Sequence, residues 1–106
     1  MREITNENYD ELVGRATTPV LLEFTADWCG PCARMRPLVE RLATEYRDRL
    51  LVGAVDIDAA EELADRYHIT TIPTLLLLRG GQISARLVGV RPYEDITAAV
   101  DRLLRS

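Results

Sequence analysis

A mixed α/β fold, with one central sheet covered by helices on both faces, is predicted by three features of the 106-residue sequence. The first is a short, nearly continuous apolar run at 20–24, Val-Leu-Leu-Glu-Phe, the pattern of a strand buried on both faces. The second is a helical pattern from Pro31 to about Asp48 that leads into a second buried run, Leu50 to Ile57. Strand, helix, strand makes a βαβ unit, whose strands are parallel and whose crossover is right-handed. The third is Gly80-Gly81, a hairpin signal between an apolar run at 74–78 and an alternating segment at 82–88. The hairpin adds antiparallel strands. The length suits one domain, expected to span residues 1–106.

At the N-terminus, Arg2–Ile4 carries a weak signal for a short first strand. Over residues 6–14, Tyr9, Leu12 and Val13 recur at helical spacing, with acids early and Gly14 as the stop. In the 31–48 helix, Met35, Leu38, Val39, Leu42 and Tyr46 form one apolar stripe. Ala59 to Tyr67 reads as a short helix with Leu63, Ala64 and Tyr67 inward. In 82–88, Ile83, Ala85 and Leu87 alternate against Gln82, Ser84 and Arg86, so those three are expected on one face. Pro92 introduces a closing helix with Ile96, Val100, Leu103 and Leu104 on one stripe.

Composition excludes several chemistries. All 13 basic residues are Arg, so a Schiff-base lysine, a lysine general base and a Walker A loop are absent. The formal charge is −4, with no basic stripe, which argues against nucleic acid or an anionic membrane as partner. No window approaches a membrane span of ~20 apolar residues. The polar, acidic start lacks the pattern of a secretion signal, so a soluble, cytoplasmic protein is expected. His68 is the single histidine and reads as a surface or helix-end residue. Together with two cysteines it falls short of the four ligands of a structural zinc or iron–sulfur site, so no metal is expected.

The two cysteines, Cys29 and Cys32, stand in Trp28-Cys29-Gly30-Pro31-Cys32, at the join between the 20–24 strand and the crossover helix. Cys29 then lies at a helix N-terminus, where unpaired N–H groups and the macrodipole stabilise a thiolate. Pro31 fits the first helical turn, where its missing N–H costs nothing. Gly30 and Pro31 shape the tight link between the sulfurs. Arg34 and Arg36 are nearby cations, and Asp27 opposes them. A disulfide closing so small a loop stabilises by roughly 2 kcal/mol, against nearly 5 for a loop of about 100 residues. Its value is therefore chemical, as a redox pair, rather than that of a structural staple.

At these residues the chain resembles the thioredoxin family. WCGPC stands at 28–32 as that family carries it, and Ile72-Pro73-Thr74 is similar to its cis-proline segment. Val88-Gly89 resembles its substrate-groove glycine, Pro37 its helix-kinking proline and Gly81 its hairpin glycine. The resemblance covers essentially the whole chain. It implies the thioredoxin fold, about five strands flanked by about four helices, and reduction of disulfides in cytoplasmic proteins. It implies recharging by a thioredoxin reductase that draws on NADPH through its own flavin, and no cofactor beyond the Cys29–Cys32 pair. A monomer is expected, with disulfide-containing proteins as substrates. Trp28, Gly30, Pro31, Ile72, Pro73, Val88 and Gly89 would form the substrate surface, where main-chain groups beside a cis-proline pair with an extended peptide.

The exchange itself rests on thiol chemistry. Cys29 attacks a substrate disulfide as thiolate, and Cys32 then attacks Cys29 to release the reduced substrate. That second step takes a proton from Cys32, and Glu23 is the candidate base, as the only ionisable residue in the 20–24 run. A carboxylate in such a strand is costly to ionise, so its pKa should rise. The sequence departs from the family here: Glu23 stands for a buried Asp, Ala54 for its Lys partner and Thr25 for a frequent second Trp. Two other readings stand beside a reductase. One is an oxidase or isomerase on the same fold, the other a non-catalytic binding module serving as holdase or subunit.

Overall fold

The computed structural model describes all 106 residues. Five strands form one sheet: β1 (Arg2–Glu3), β2 (Val20–Thr25), β3 (Leu51–Asp56), β4 (Thr74–Arg79) and β5 (Gln82–Val88). Their spatial order is β1-β3-β2-β4-β5. β1, β3 and β2 run parallel, whereas β4 is antiparallel to β2 and to β5. Three α-helices accompany them: α1 (Gly30–Glu45), α2 (Glu61–Arg66) and α3 (Tyr93–Arg105).

β2 occupies the middle of the sheet, and all six of its residues are buried. That is the physical reason for its nearly unbroken apolar run: each side chain meets a layer of helix or loop. Leu22 and Phe24 point into a cluster with Ile4, Tyr9, Val13, Val55, Leu63 and Tyr67. Leu21 points the other way, among Met35, Val39 and Leu42 of α1 and Ile96, Val100 and Leu103 of α3. The helical stripes read from the sequence thus face the sheet, with Leu38 and Leu104 half-buried at their margins.

Two expectations need correction. Residues 6–14 do not form a regular helix. A turn at residues 6–8 leads into a π-helical turn at Asp10–Gly14, with the Arg15 N–H donating to the Asp10 carbonyl at 3.1 Å. This wider winding still delivers Tyr9 and Val13 to the core. Ile83 does not share a face with Ala85 and Leu87. The β4–β5 register shifts between Leu77, opposite Ala85, and Leu78, opposite Ile83, so Ser84 is an extra residue. A bulge of one residue switches the faces of the pleat on its two sides, and Ile83 is left exposed on an edge strand. Gly80 and Gly81 both take positive φ, 58° and 79°, as a two-residue hairpin turn requires.

Candidate redox site

The site lies where β2 ends and α1 begins. Cys29 caps α1 in an extended conformation, φ −92° and ψ 109°. Its Sγ accepts the Cys32 backbone N–H at 3.2 Å, which satisfies one of the donors left open at the helix start. Pro31 sits in the first turn, as expected from its missing N–H. Cys29 and Cys32 are joined as a disulfide, their Cα atoms 5.3 Å apart. Ala26 at the end of β2 packs on both cysteines, with Ile57 and Ile72 beside them. In this oxidised state Cys29 is only 7% exposed, less open than the sequence position suggests, while Cys32 is 2% exposed. Cys29 is the more open of the two and faces the rim.

The rim is built from a distant part of the chain. The Ile72–Pro73 peptide is cis, and the Ile72 carbonyl oxygen lies 3.9 Å from Cys29 Sγ. Pro73 is buried, and its carbonyl accepts the Gly89 N–H at 2.8 Å, tying the residues after β5 to the proline. Gly89 has φ 84°, where an L side chain is strained, so glycine suits the turn-off from β5. The Arg91 N–H donates to Met35 Sδ at 3.4 Å and anchors the same loop to α1. Trp28 is 68% exposed, with Val88 and Val90 also exposed on this rim. Gly30 and Pro31 are exposed between Trp28 and Cys32. The Trp28 indole Nε1 donates to Asp58 Oδ2 at 2.7 Å, which fixes the ring beside Cys29. Sequence reasoning missed Asp58; the run Asp56-Ile57-Asp58 marked the strand end without showing which aspartate turns back.

Glu23 is fully buried, and neither carboxyl oxygen has a partner. Thr25, two residues on and on the same face, is also buried with its hydroxyl unpartnered. Removal from water pushes the Glu23 carboxyl up to about 7; Arg36 pulls it down and Glu40 pushes it further up. A solvated side chain at Glu23 is thereby excluded. Ala54 is its register partner on β3, so no cation projects from that position. His68 is exposed just past the end of α2 with φ 54°, a helix-end residue. No cluster of three or more His, Cys, Asp or Glu side chains has metal-binding geometry, and no helix is long and apolar enough to cross a membrane.

A family model described as Thioredoxin matches residues 1–102. The chain is 38% identical over 98 residues to Thioredoxin C-2 of Corynebacterium nephridii, covering 92% of this chain and 91% of that one. It is 38% identical over 94 residues to Thioredoxin 1 of Chlorobaculum tepidum, covering 89% and 93% respectively. A bifunctional thioredoxin reductase/thioredoxin of Mycobacterium leprae is 38% identical over 89 residues, which are 84% of this chain and 19% of that protein.

Proposed function

The chain belongs to the thioredoxin family, and from that premise we propose that it reduces disulfides in cytoplasmic proteins and is recharged by an NADPH-dependent thioredoxin reductase. It is a protein-disulfide oxidoreductase working by dithiol–disulfide exchange through Cys29 and Cys32. The observation that carries the reading is the placement of this pair: the N-terminus of α1 holds it, and Ile72-Pro73 and an exposed Trp28 flank it. The electron carrier is the pair itself. One domain, residues 1–106, acts as a monomer. The fused reductase and thioredoxin of the Mycobacterium leprae protein supports the choice of partner.

In the reduced protein the Cys29 thiolate attacks one sulfur of the substrate disulfide. A Cys29–substrate bond forms, the substrate S–S bond breaks, and the departing thiolate takes a proton from solvent. The helix N-terminus stabilises the attacking anion. An extended segment of the substrate lies across Ile72, Pro73, Val88 and Gly89, between Trp28 and the loop after β5. Cys32 then gives its proton to Glu23 and attacks Cys29. The Cys29–Cys32 disulfide forms and the second substrate thiolate leaves. Glu23 suits the proton transfer because it is buried on β2, the strand that leads into the pair, with a pKa near neutrality, where a base is best matched to working pH.

The test is turnover of a disulfide-bearing protein with NADPH and a thioredoxin reductase. NADPH consumption should depend on this chain and vanish with Cys29→Ser/Cys32→Ser. Consumption no greater than with the reductase alone would remove the reductase assignment. Binding of the target that survived the double substitution would point to a holdase or subunit role in its place.

A further inference from the structure

We propose that Arg36 is a positioning residue for this exchange: from α1 it supplies the cation that keeps Glu23 ionisable, a charge that Ala54 on β3 leaves unsupplied. The proposal rests on the assignment of Glu23 as proton acceptor for Cys32.

Glu23 sits between Ala54 in the parallel register and Leu75 in the antiparallel one, so its nearest cross-strand neighbours offer nothing polar. Both its oxygens are unpartnered. Over this end of the sheet lies an open pocket of about 340 Å³, lined by Thr25 and Ala54 of the two strands and by Arg36 and Glu40 of α1. A long side chain at position 54 would enter this space, and Ala54 leaves it open to α1. Cys32, Arg36 and Glu40 recur every four residues, which puts them along one side of the helix. The stripe therefore runs from the resolving sulfur to the pocket lined by Ala54, the register partner of Glu23, and by Thr25. Arg36 makes no ion pair of its own; the single salt bridge of the molecule joins Arg41 to Glu45.

The other charges around the pocket are mostly of the wrong sign. Glu3 on β1, Asp27 before α1, Asp56 on β3 and Glu40 on α1 are carboxylates. Arg2 and the terminal amine of Met1 are the remaining cations. Arg2 is in register with Gly53, so its side chain leaves the sheet on the face opposite Glu23, Ala54 and Glu3. Among the side chains, Arg36 is thus the cation on the Glu23 side of the sheet, and it is the charge that opposes desolvation there. Without it, burial and Glu40 would shift Glu23 further toward its protonated form at working pH, leaving less of it able to accept a proton from Cys32. Because Arg36 is exposed at the pocket, its influence should weaken with added salt.

The experiment tracks the Glu23 side-chain carboxyl by NMR titration in the intact chain, at low and high salt. Arg36→Gln should raise the titration midpoint at low salt by about half to one pH unit, a three- to tenfold gain in proton affinity. Arg36→Lys should hold the midpoint near that of the unsubstituted chain. The double change Arg36→Gln/Ala54→Lys should bring it back down, by returning a cation from the other side of the pocket. The pH profile of mixed-disulfide resolution should move with the midpoint. A well-folded Arg36→Gln chain with an unmoved midpoint overturns the proposal. A midpoint that moves while the resolution profile stays put supports the electrostatic pairing and removes Glu23 as the base.

Discussion

The two faces of β2 treat buried polar groups in opposite ways. On the Leu22 and Phe24 side, the buried hydroxyls of Tyr9 and Tyr67 hydrogen-bond to each other. Burial and that bond push the Tyr9 hydroxyl up to about 12, so it stays neutral and satisfied. On the Leu21 side, the face begins apolar and turns polar toward the cysteines, with Glu23 and Thr25 lacking any partner. Each unsatisfied buried group costs on the order of 1–3 kcal/mol. The same strand therefore satisfies its polar neighbours where it only holds the fold, and leaves its own polar groups open beside the redox pair. Unmet polarity at the end of a strand that abuts a reactive sulfur marks a working group. (Asn6 Oδ1, in the turn before the π-helical segment, is the remaining unpartnered atom, far along the chain from either face of the site.)

The sharpest separation of the two faces comes from activity. Cys29→Ser should lower turnover at least about 10³-fold, since no thiolate remains to attack the substrate. Tyr67→Phe on the opposite face should leave turnover within about twofold. A comparable loss from Tyr67→Phe would break the division between holding and reacting faces.

Stability should show the converse. Phe24→Ala removes the largest side chain among the fully buried ones of the holding face, and should cost about 3–5 kcal/mol in urea denaturation. Glu23→Gln should instead stabilise. The folded carboxyl titrates near 7 against 4.5 for the ordinary value. The folded chain therefore holds the proton more tightly, and stability falls as pH rises from about 4.5 through about 7. Glutamine removes that loss, so the gain should approach the order of 3 kcal/mol at pH 8 and fade by about pH 4. A gain independent of pH would mean that ionisation is not its source.

The smallest effect concerns the satisfied pair. Tyr9→Phe should cost about 1–2 kcal/mol by leaving the Tyr67 hydroxyl alone. Tyr9→Phe/Tyr67→Phe should recover part of it, because both partners are then apolar. Double-mutant analysis of denaturation midpoints reads the coupling directly. Absence of coupling would place the two hydroxyls in separate environments.

Much of the fold was legible because burial writes itself into period. β2 is buried on both faces and so reads as an unbroken run, and the stripes of α1 and α3 face the sheet as spaced. The π-helical turn escaped because Tyr9 and Val13 keep an i, i+4 spacing in either winding. Ile83 escaped because alternation assumes an unbroken pleat, and the extra Ser84 carries no signal of its own. At the site, WCGPC and Ile72-Pro73-Thr74 stood out by type and spacing, and Glu23 by being charged within an apolar strand. Arg36 and Asp58 were invisible as partners: both are ordinary surface residue types, and only the folded chain brings one to the pocket lined by Ala54, opposite Glu23, and the other to the Trp28 ring.

Whether the open polar face is the working one is decided most directly by the rate of mixed-disulfide resolution, measured against pH in single-turnover experiments on the unsubstituted chain and on Glu23→Gln. The unsubstituted rate should rise through a step near pH 7, the value to which burial brings Glu23, and Glu23→Gln should be slower by about 10²-fold or more with that step gone. Equal rates with the same pH profile would contradict this division of the two faces, leaving Glu23 a buried carboxyl that takes no part in the chemistry.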